Sequence, residues 1–155
     1  MKAAVFSDSH GMTDLMKEAL RRFRVDMIIH LGDHDRDAQE LALEFPHIPL
    51  CSVRGNCDLA SSAADKMTLD LGGVKAFITH GHLYRVKYSV DSLVYAAMEA
   101  GAPLAFYGHT HIPAQQDIAG VRLINPGSAG TGRRPTWALI EIFENGGIAC
   151  DIKEL

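Results

Sequence analysis

The sequence predicts an α/β protein in which two sheets pack face to face with helices outside, and three observations carry that prediction. Short strands alternate with amphipathic helices over the first part of the chain. Those early strands are apolar throughout, as strands buried on both faces are. From Met67 onward the character changes to alternating strands joined by glycine turns, the mark of antiparallel hairpins. Early βα units followed by hairpins fit two packed sheets covered by helices.

The elements follow in order. Ala3 to Phe6 is a wholly apolar strand that runs into Asp8-Ser9-His10. Gly11 turns the chain, and Thr13 or Asp14 is placed to cap a helix from about Leu15 to Phe23. Its apolar stripe is Leu15, Met16, Ala19, Leu20 and Phe23, with Lys17, Glu18, Arg21 and Arg22 facing out. Met27 to Leu31 is the second strand and delivers Gly32-Asp33-His34. A short helix, Arg36 to Phe45, is stopped by Pro46. Leu50 to Val53 is the third strand and delivers Arg54-Gly55-Asn56-Cys57-Asp58.

Met67 to Leu71 and Val74 to Ile78 form a hairpin around Gly72-Gly73, delivering Thr79-His80-Gly81-His82. Ser89 is expected to cap a helix running to about Ala100, with Gly101 at its end. Leu104 to Tyr107 is again apolar and delivers Gly108-His109-Thr110-His111. Strands at Ala114 to Ile118, Val121 to Ile124, Thr136 to Phe143 and Ile148 to Lys153 complete the chain. Between them lie Asn125-Pro126-Gly127-Ser128 and a glycine-rich, basic loop up to Pro135.

Composition bounds the function. At 155 residues, with no repeat or linker, residues 1–155 are expected to form a single domain with a proper core. Apolar residues make up 47% and charged residues 22%, as in an ordinary soluble protein. The net charge of -4, without a basic block, argues against general binding to nucleic acid or anionic membranes. Three cysteines without a CxxC pair indicate neither a disulfide framework nor a zinc ribbon. The N-terminus shows no signal-peptide pattern, and the longest mostly apolar stretch, Leu93 to Tyr107, is broken by Glu99 and Gly101. The expected location is the cytoplasm, with no membrane partner.

Five strands each end in residues that can ligate a metal: Asp8 and His10, Asp33, Asn56, His80 and His82, His109 and His111. In extended backbone, side chains two apart point the same way, so Asp8 and His10 are expected to aim at one point. A single histidine at a strand end is usually structural, and Asp33 alone could be a helix cap. Five such strand ends in one chain are not explained by capping or packing. Imidazole, carboxylate and one amide oxygen form a mixed nitrogen and oxygen donor set. That set favours manganese, iron, nickel or zinc over calcium, and differs from a thiolate zinc site.

Seven donors exceed the needs of one ion but suit two that share a carboxylate. Two carboxylates, Asp8 and Asp33, against two divalent ions leave the pocket about +2, attractive to phosphate even in an acidic protein. Paired metals about 3.5–4 Å apart can generate hydroxide near neutral pH and clamp the oxygens of an in-line displacement.

Asp8-Ser9-His10, Gly32-Asp33, Gly55-Asn56-Cys57-Asp58, Thr79-His80-Gly81-His82 and Gly108-His109-Thr110-His111 together resemble the signature of the calcineurin-like metallophosphoesterases. Asn125-Pro126-Gly127-Ser128 is similar to a segment of their small bacterial phosphodiesterases, the YfcE type. The resemblance implies a four-layer α/β/β/α sandwich with metals at the sheet edges. It assigns one metal to Asp8, His10, Asp33 and His111, and the other to Asp33, Asn56, His80 and His109, with Asp33 bridging. It implies hydrolysis of a small phosphodiester, cyclic or linear nucleotides included, by a metal-bridging hydroxide. Two divalent ions are expected, manganese first and nickel, iron or zinc as substitutes. A homo-oligomer is compatible with the resemblance.

Asn56, Cys57, Asp58 and His80 form the expected catalytic set, with Asp58 orienting the loop or a ligand. His82 and Arg54 are candidates for substrate contact, His82 equally as a support behind a ligand. Many members carry histidine where this chain has Cys57, and that histidine is thought to protonate the leaving group. A thiol is a poor hydrogen-bond donor, so good leaving groups such as aryloxides should be favoured. YfcE-type proteins resemble this chain in carrying cysteine there.

His30 reads as a satisfied core histidine, His34 as lining the mouth, and His47, Arg133 and Arg134 as solvated. The alternative function is a catalytically weak or inactive scaffold of the same fold that binds a protein partner; the unsubstituted ligand set counts against it. A nuclease on long nucleic acid would want a basic groove and stacking aromatics, which are lacking.

Overall fold

The computed structural model describes residues 1–155. In chain order the elements are β1 (Lys2–Phe6), α1 (Thr13–Arg22), β2 (Met27–His30), α2 (Asp35–Glu44) and β3 (Leu50–Ser52). Then come β4 (Lys66–Leu71), β5 (Val74–Thr79), a turn of 3-10 helix at His82–Tyr84, and α3 (Asp91–Glu99). The last strands are β6 (Leu104–Phe106), β7 (Ala114–Ile118), β8 (Val121–Asn125), β9 (Thr136–Ile142) and β10 (Ile148–Glu154).

One sheet has the order β10-β9-β1-β2-β3 and the other β4-β5-β6-β8-β7. In the first, β1, β2 and β3 are parallel, with Phe6 opposite His30 and His30 opposite Ser52. In the second, β5, β6 and β8 are parallel, with Ile78 opposite Phe106 and Phe106 opposite Ile124. Two sets of three parallel strands therefore end level with one another. The loops that follow meet along one edge, where open α/β sheets place their ligands.

The alternation of strand side chains divides the core into three parts. Val5, Ile29 and Val53 of the first sheet pack against Ile78, Phe106 and Ile124 of the second, between the sheets. On the outer face of the first sheet Ala4, Phe6 and Ile28 meet Met16 and Leu20 of α1 and Leu41 of α2, with Trp137 stacked on Phe6 at 5.4 Å. On the outer face of the second, Phe77, Ala105 and Leu123 meet Leu93, Val94 and Ala97 of α3. The result is the expected α/β/β/α layering. Gly72 and Gly73 turn the β4–β5 hairpin at φ 62 and 90, as the Gly-Gly pair predicts.

Helix starts depart from expectation. Neither Thr13 nor Asp14 caps α1: its N-cap is Met12, without a side-chain bond, and the Thr13 hydroxyl instead donates to Glu40 of α2 at 2.9 Å. Ser89 acts one residue before the N-cap Val90 of α3, where its hydroxyl accepts from the Asp91 N–H at 3.1 Å. No helix is long and apolar enough to cross a membrane.

Candidate metal centre

Asp8 and His10 do converge, but not by strand alternation. β1 ends at Phe6, and both residues adopt left-handed backbone, Asp8 at φ 53 and His10 at φ 47. His109 and His111 behave alike at φ 68 and 60, as does Asp33 at φ 55. The extended-backbone expectation is therefore corrected: each loop reverses sharply and points its donors back over the sheet edge. Non-glycine residues in this region carry strain that the surroundings must outweigh, and such residues cluster at functional sites.

The surroundings are specific. The Asp8 N–H donates to Gly32 O at 3.0 Å, and the Ser128 hydroxyl donates to Asp8 O at 2.7 Å. Ser9, between the two donors, gives its hydroxyl proton to Asp37 at 2.6 Å and lies 3.0 Å from His30 Nε2. The Gly32 N–H donates to His30 Nδ1, so a neutral ring protonated at Nε2 satisfies the whole chain of contacts. Burial holds His30 below the usual histidine range, in keeping with that neutral form. Asp37 also accepts the Gly11 N–H at 2.7 Å, so one buried helix carboxylate fixes both sides of His10.

The donors themselves gather closely. Ligand atoms of Asp8, His10, Asp33 and His111 all lie within 4.8 Å of one another. Asp8 Oδ2 is occupied by the Ser7 hydroxyl at 2.6 Å and the His109 N–H at 3.0 Å, which leaves Oδ1 toward the cluster. There Oδ1 lies 3.1 Å from both His80 Nε2 and His111 Nε2. Burial raises the Asp8 pKa, but the His80 contact and charge and the Ser7 hydroxyl outweigh it and hold the carboxyl at about 2. Asp33 Oδ1 accepts the Cys57 N–H at 2.8 Å, and its Oδ2 lies 3.6 Å from His80, between the two halves of the donor set.

His80 faces Asp8 and Asp33 with Nε2 while its Nδ1 lies 3.0 Å from His82 Nδ1. The rings of His80 and His109 are 5.0 Å apart. Burial and the neighbouring His80 charge take His109 down to about 4, and the same two causes lower His82. Neutral rings are the ligating form. Asn56 is exposed and its Nδ2 points to Cys57 Sγ at 3.4 Å. Cys57 is exposed too, and burial of its thiol with the adjacent Asp33 carboxylate raises its pKa.

Asp58 is occupied by backbone. It accepts from the His34 and Asp35 N–H groups at 2.9 Å and from Gly55 N–H at 2.8 Å, joining the β2 and β3 loops. Arg54 is held by a two-pronged pair with Asp65 at 2.6 and 3.2 Å, so its guanidinium already has a partner.

Sequence reasoning passed over the support supplied by β8. Asn125, at its end, donates to Gly108 O and Thr110 Oγ1, both at 3.0 Å, and accepts the Gly127 N–H. The Ala129 N–H donates to Ser7 O, and Thr131 Oγ1 lies 3.0 Å from His111 Nδ1. The signal was Asn125-Pro126-Gly127-Ser128 following an apolar strand, the sixth strand end of the same kind.

The donor set fits divalent transition metals. Asp8 and Asp33 are buried, and no lysine or arginine pairs with either; histidines are their ionisable neighbours. Two converging buried carboxylates without a fixed cation call for mobile ones. Imidazole and carboxylate donors suit manganese, iron, nickel or zinc.

Comparison with known proteins agrees. The calcineurin-like phosphoesterase superfamily domain matches residues 1–145. YsnB of Bacillus subtilis, a probable metallophosphoesterase, is 37% identical over 130 residues, covering 83% of this chain and 75% of its own. The phosphodiesterase YfcE of Escherichia coli is 28% identical over 155 residues, covering 83% and 79%. The solved predicted phosphoesterase of Streptococcus pneumoniae has a TM-score of 0.76 at 25% identity, covering 99% and 97% of the two chains. Wild-type Vps29 of Entamoeba histolytica, solved with zinc, has a TM-score of 0.77 at 19% identity and covers 99% of each, a likeness of fold alone. The chain belongs to the calcineurin-like phosphoesterase superfamily.

Proposed function

We propose that residues 1–155 act as one domain that hydrolyses small phosphodiesters with two divalent ions, manganese first among them. Asp8, His10, Asp33 and His111 would hold one ion, and Asp33, Asn56, His80 and His109 the other. The observation that carries this reading is the pair of buried carboxylates with no lysine or arginine counterion, ringed by imidazoles. When bound, such ions neutralise a phosphate, orient it and supply a nucleophilic oxygen near neutral pH.

The chain's own part is positioning. The Ser7 hydroxyl and His109 N–H fix one oxygen of Asp8 and present the other to the cluster. With His80 Nε2 free to ligate, the ring proton sits on Nδ1, where His82 Nδ1 can accept it. Thr131 plays the matching part at His111 Nδ1. By the family resemblance Cys57, whose N–H donates to Asp33, would take the place of the leaving-group acid, and a thiol donates weakly. Alcohols that leave readily without a proton, aryloxides above all, are the favoured leaving groups.

The full donor set supports an enzyme over a scaffold, for which no ligand need be kept. The test is hydrolysis of bis-p-nitrophenyl phosphate by metal-stripped protein with manganese restored, beside Asn56→Ala. Turnover that needs manganese and falls about 10²-fold in the variant upholds the reading. Two bound ions without turnover would move the function to the scaffold.

A further inference from the structure

Beside the donor cluster lies a cleft of about 360 Å³ whose walls come from the start of α2 and the loop after β3. His34 and Cys57 line it, and the His34 ring is 5.7 Å from that of His10, so the cleft opens from the metal centre on the Cys57 side. Its size is that of a small-ligand pocket.

The wall carries two acids, and both are already satisfied. Asp58 takes the three backbone N–H groups of His34, Asp35 and Gly55. Asp35, nearly buried, takes the hydroxyls of Ser52 and Ser61 and the Gln39 amide. Those bonds also use one Gln39 N–H and the Ser61 hydroxyl. Arg36 is different: it is exposed, lines the cleft and is engaged in no ion pair. The cleft therefore offers one uncommitted guanidinium, a planar fork suited to carboxylate or phosphate oxygens.

The geometry points to this cleft as a subsite for the departing arm of the substrate, with Arg36 selecting an arm that bears its own acidic group. The inference rests on the phosphodiesterase reading above and deepens it. In the reaction a water oxygen bonds to phosphorus, the P–O bond to the arm in the cleft breaks, and the departing oxygen takes a proton. A diester with one acidic and one neutral arm should thus be cut on the acidic side.

The experiment uses 3-carboxyphenyl phenyl phosphate, whose two aryloxides have similar basicity, and the manganese-loaded protein. Release of 3-hydroxybenzoate is measured against release of phenol and corrected by the ratio in alkaline hydrolysis. Because the two arms compete within one molecule, the ratio is independent of how much enzyme is folded. Wild type should favour 3-hydroxybenzoate about tenfold. Arg36→Ala should bring the ratio near one, and Arg36→Lys should restore part of it. Equal release by wild type, or a ratio unmoved in Arg36→Ala, overturns the proposal.

If neither product forms, the phosphodiesterase reading fails, and calorimetric titration of 3-carboxyphenyl phosphate against phenyl phosphate decides this one separately. About tenfold tighter binding of the carboxylated probe, lost in Arg36→Ala, would uphold the subsite; equal binding would overturn it.

Discussion

Gly55→Ala isolates the dependence of the metal centre on close backbone approach. Gly55 is not in the left-handed region, so alanine's backbone is allowed there and the cost comes from contact alone. Its Cβ would lie 2.1 Å from Asp33 Oδ1 and 2.4 Å from the Asp33 N, where ordinary contact begins at 3.4 Å. Side-chain rotation can relieve the first clash but not the second, so the β2 and β3 loops must separate by about 1 Å. Overpacking of this kind costs about 1–3 kcal/mol, and about 1 Å of displacement in a reacting centre costs about 10²-fold in rate. Gly101→Ala is the control: it meets nothing within 4 Å but sits at φ 65, so it should cost about 1 kcal/mol through backbone strain alone. Urea unfolding and manganese-restored hydrolysis of bis-p-nitrophenyl phosphate are measured on both. Comparable stability losses with a rate loss confined to Gly55→Ala are expected. Equal rates in the two variants would refute the argument that Gly55 holds Asp33 in place.

Three further outcomes follow from the contacts around the site. Asp37→Ala leaves the Ser9 hydroxyl and Gly11 N–H without their acceptor, so stability should fall by about 1–3 kcal/mol and manganese affinity by about 10–100-fold. Denaturation and metal titration check both, and unchanged affinity would mean that the Ser9 network does not position His10. Arg54→Ala removes the pair with Asp65 and should leave kcat/KM for bis-p-nitrophenyl phosphate within about twofold of wild type. A large rise in KM would show that Arg54 reaches the phosphate after all. Cys57→His places a better proton donor beside the donor cluster; it should speed phosphodiesters with poor leaving groups by at least about tenfold and flatten the dependence of rate on leaving-group pKa. A wild-type rate already independent of leaving-group pKa would contradict the weak-acid account.

The strands were legible because their local pattern and their tertiary role agree. β1, β2 and β6 are short, mostly apolar runs buried on both faces, while β4 alternates and meets β5 across a glycine pair. The donor motifs were legible because each stands just past such a run. What sequence could not show was the path of the chain between strand and donor. Alternation predicts that Asp8 and His10 share a direction in extended backbone, whereas both residues turn left-handed. At Asp8 that conformation is held by partners from far along the chain, Gly32, Ser128 and Gly130, which the local sequence does not reveal. Asp37 was hidden for the same reason: on a helix it reads as a solvated acid, yet it is buried beneath Ser9 and Gly11. Arg54 looked available beside Asn56 because its partner, Asp65, lies eleven residues on. The insertion of β9 antiparallel between β1 and β10 rests on pairing across most of the chain, such as Val5 with Ala138.

Asp33 is proposed to join two cations in one site, and a count of bound metal decides it. Metal-stripped protein is brought to saturation with manganese, freed of unbound ion, and the metal per chain is measured for wild type and Asp33→Ala. About two ions per wild-type chain are expected, no more than one in the variant, and turnover of bis-p-nitrophenyl phosphate only in the former. One ion or none on wild type, or two retained without Asp33, would contradict it.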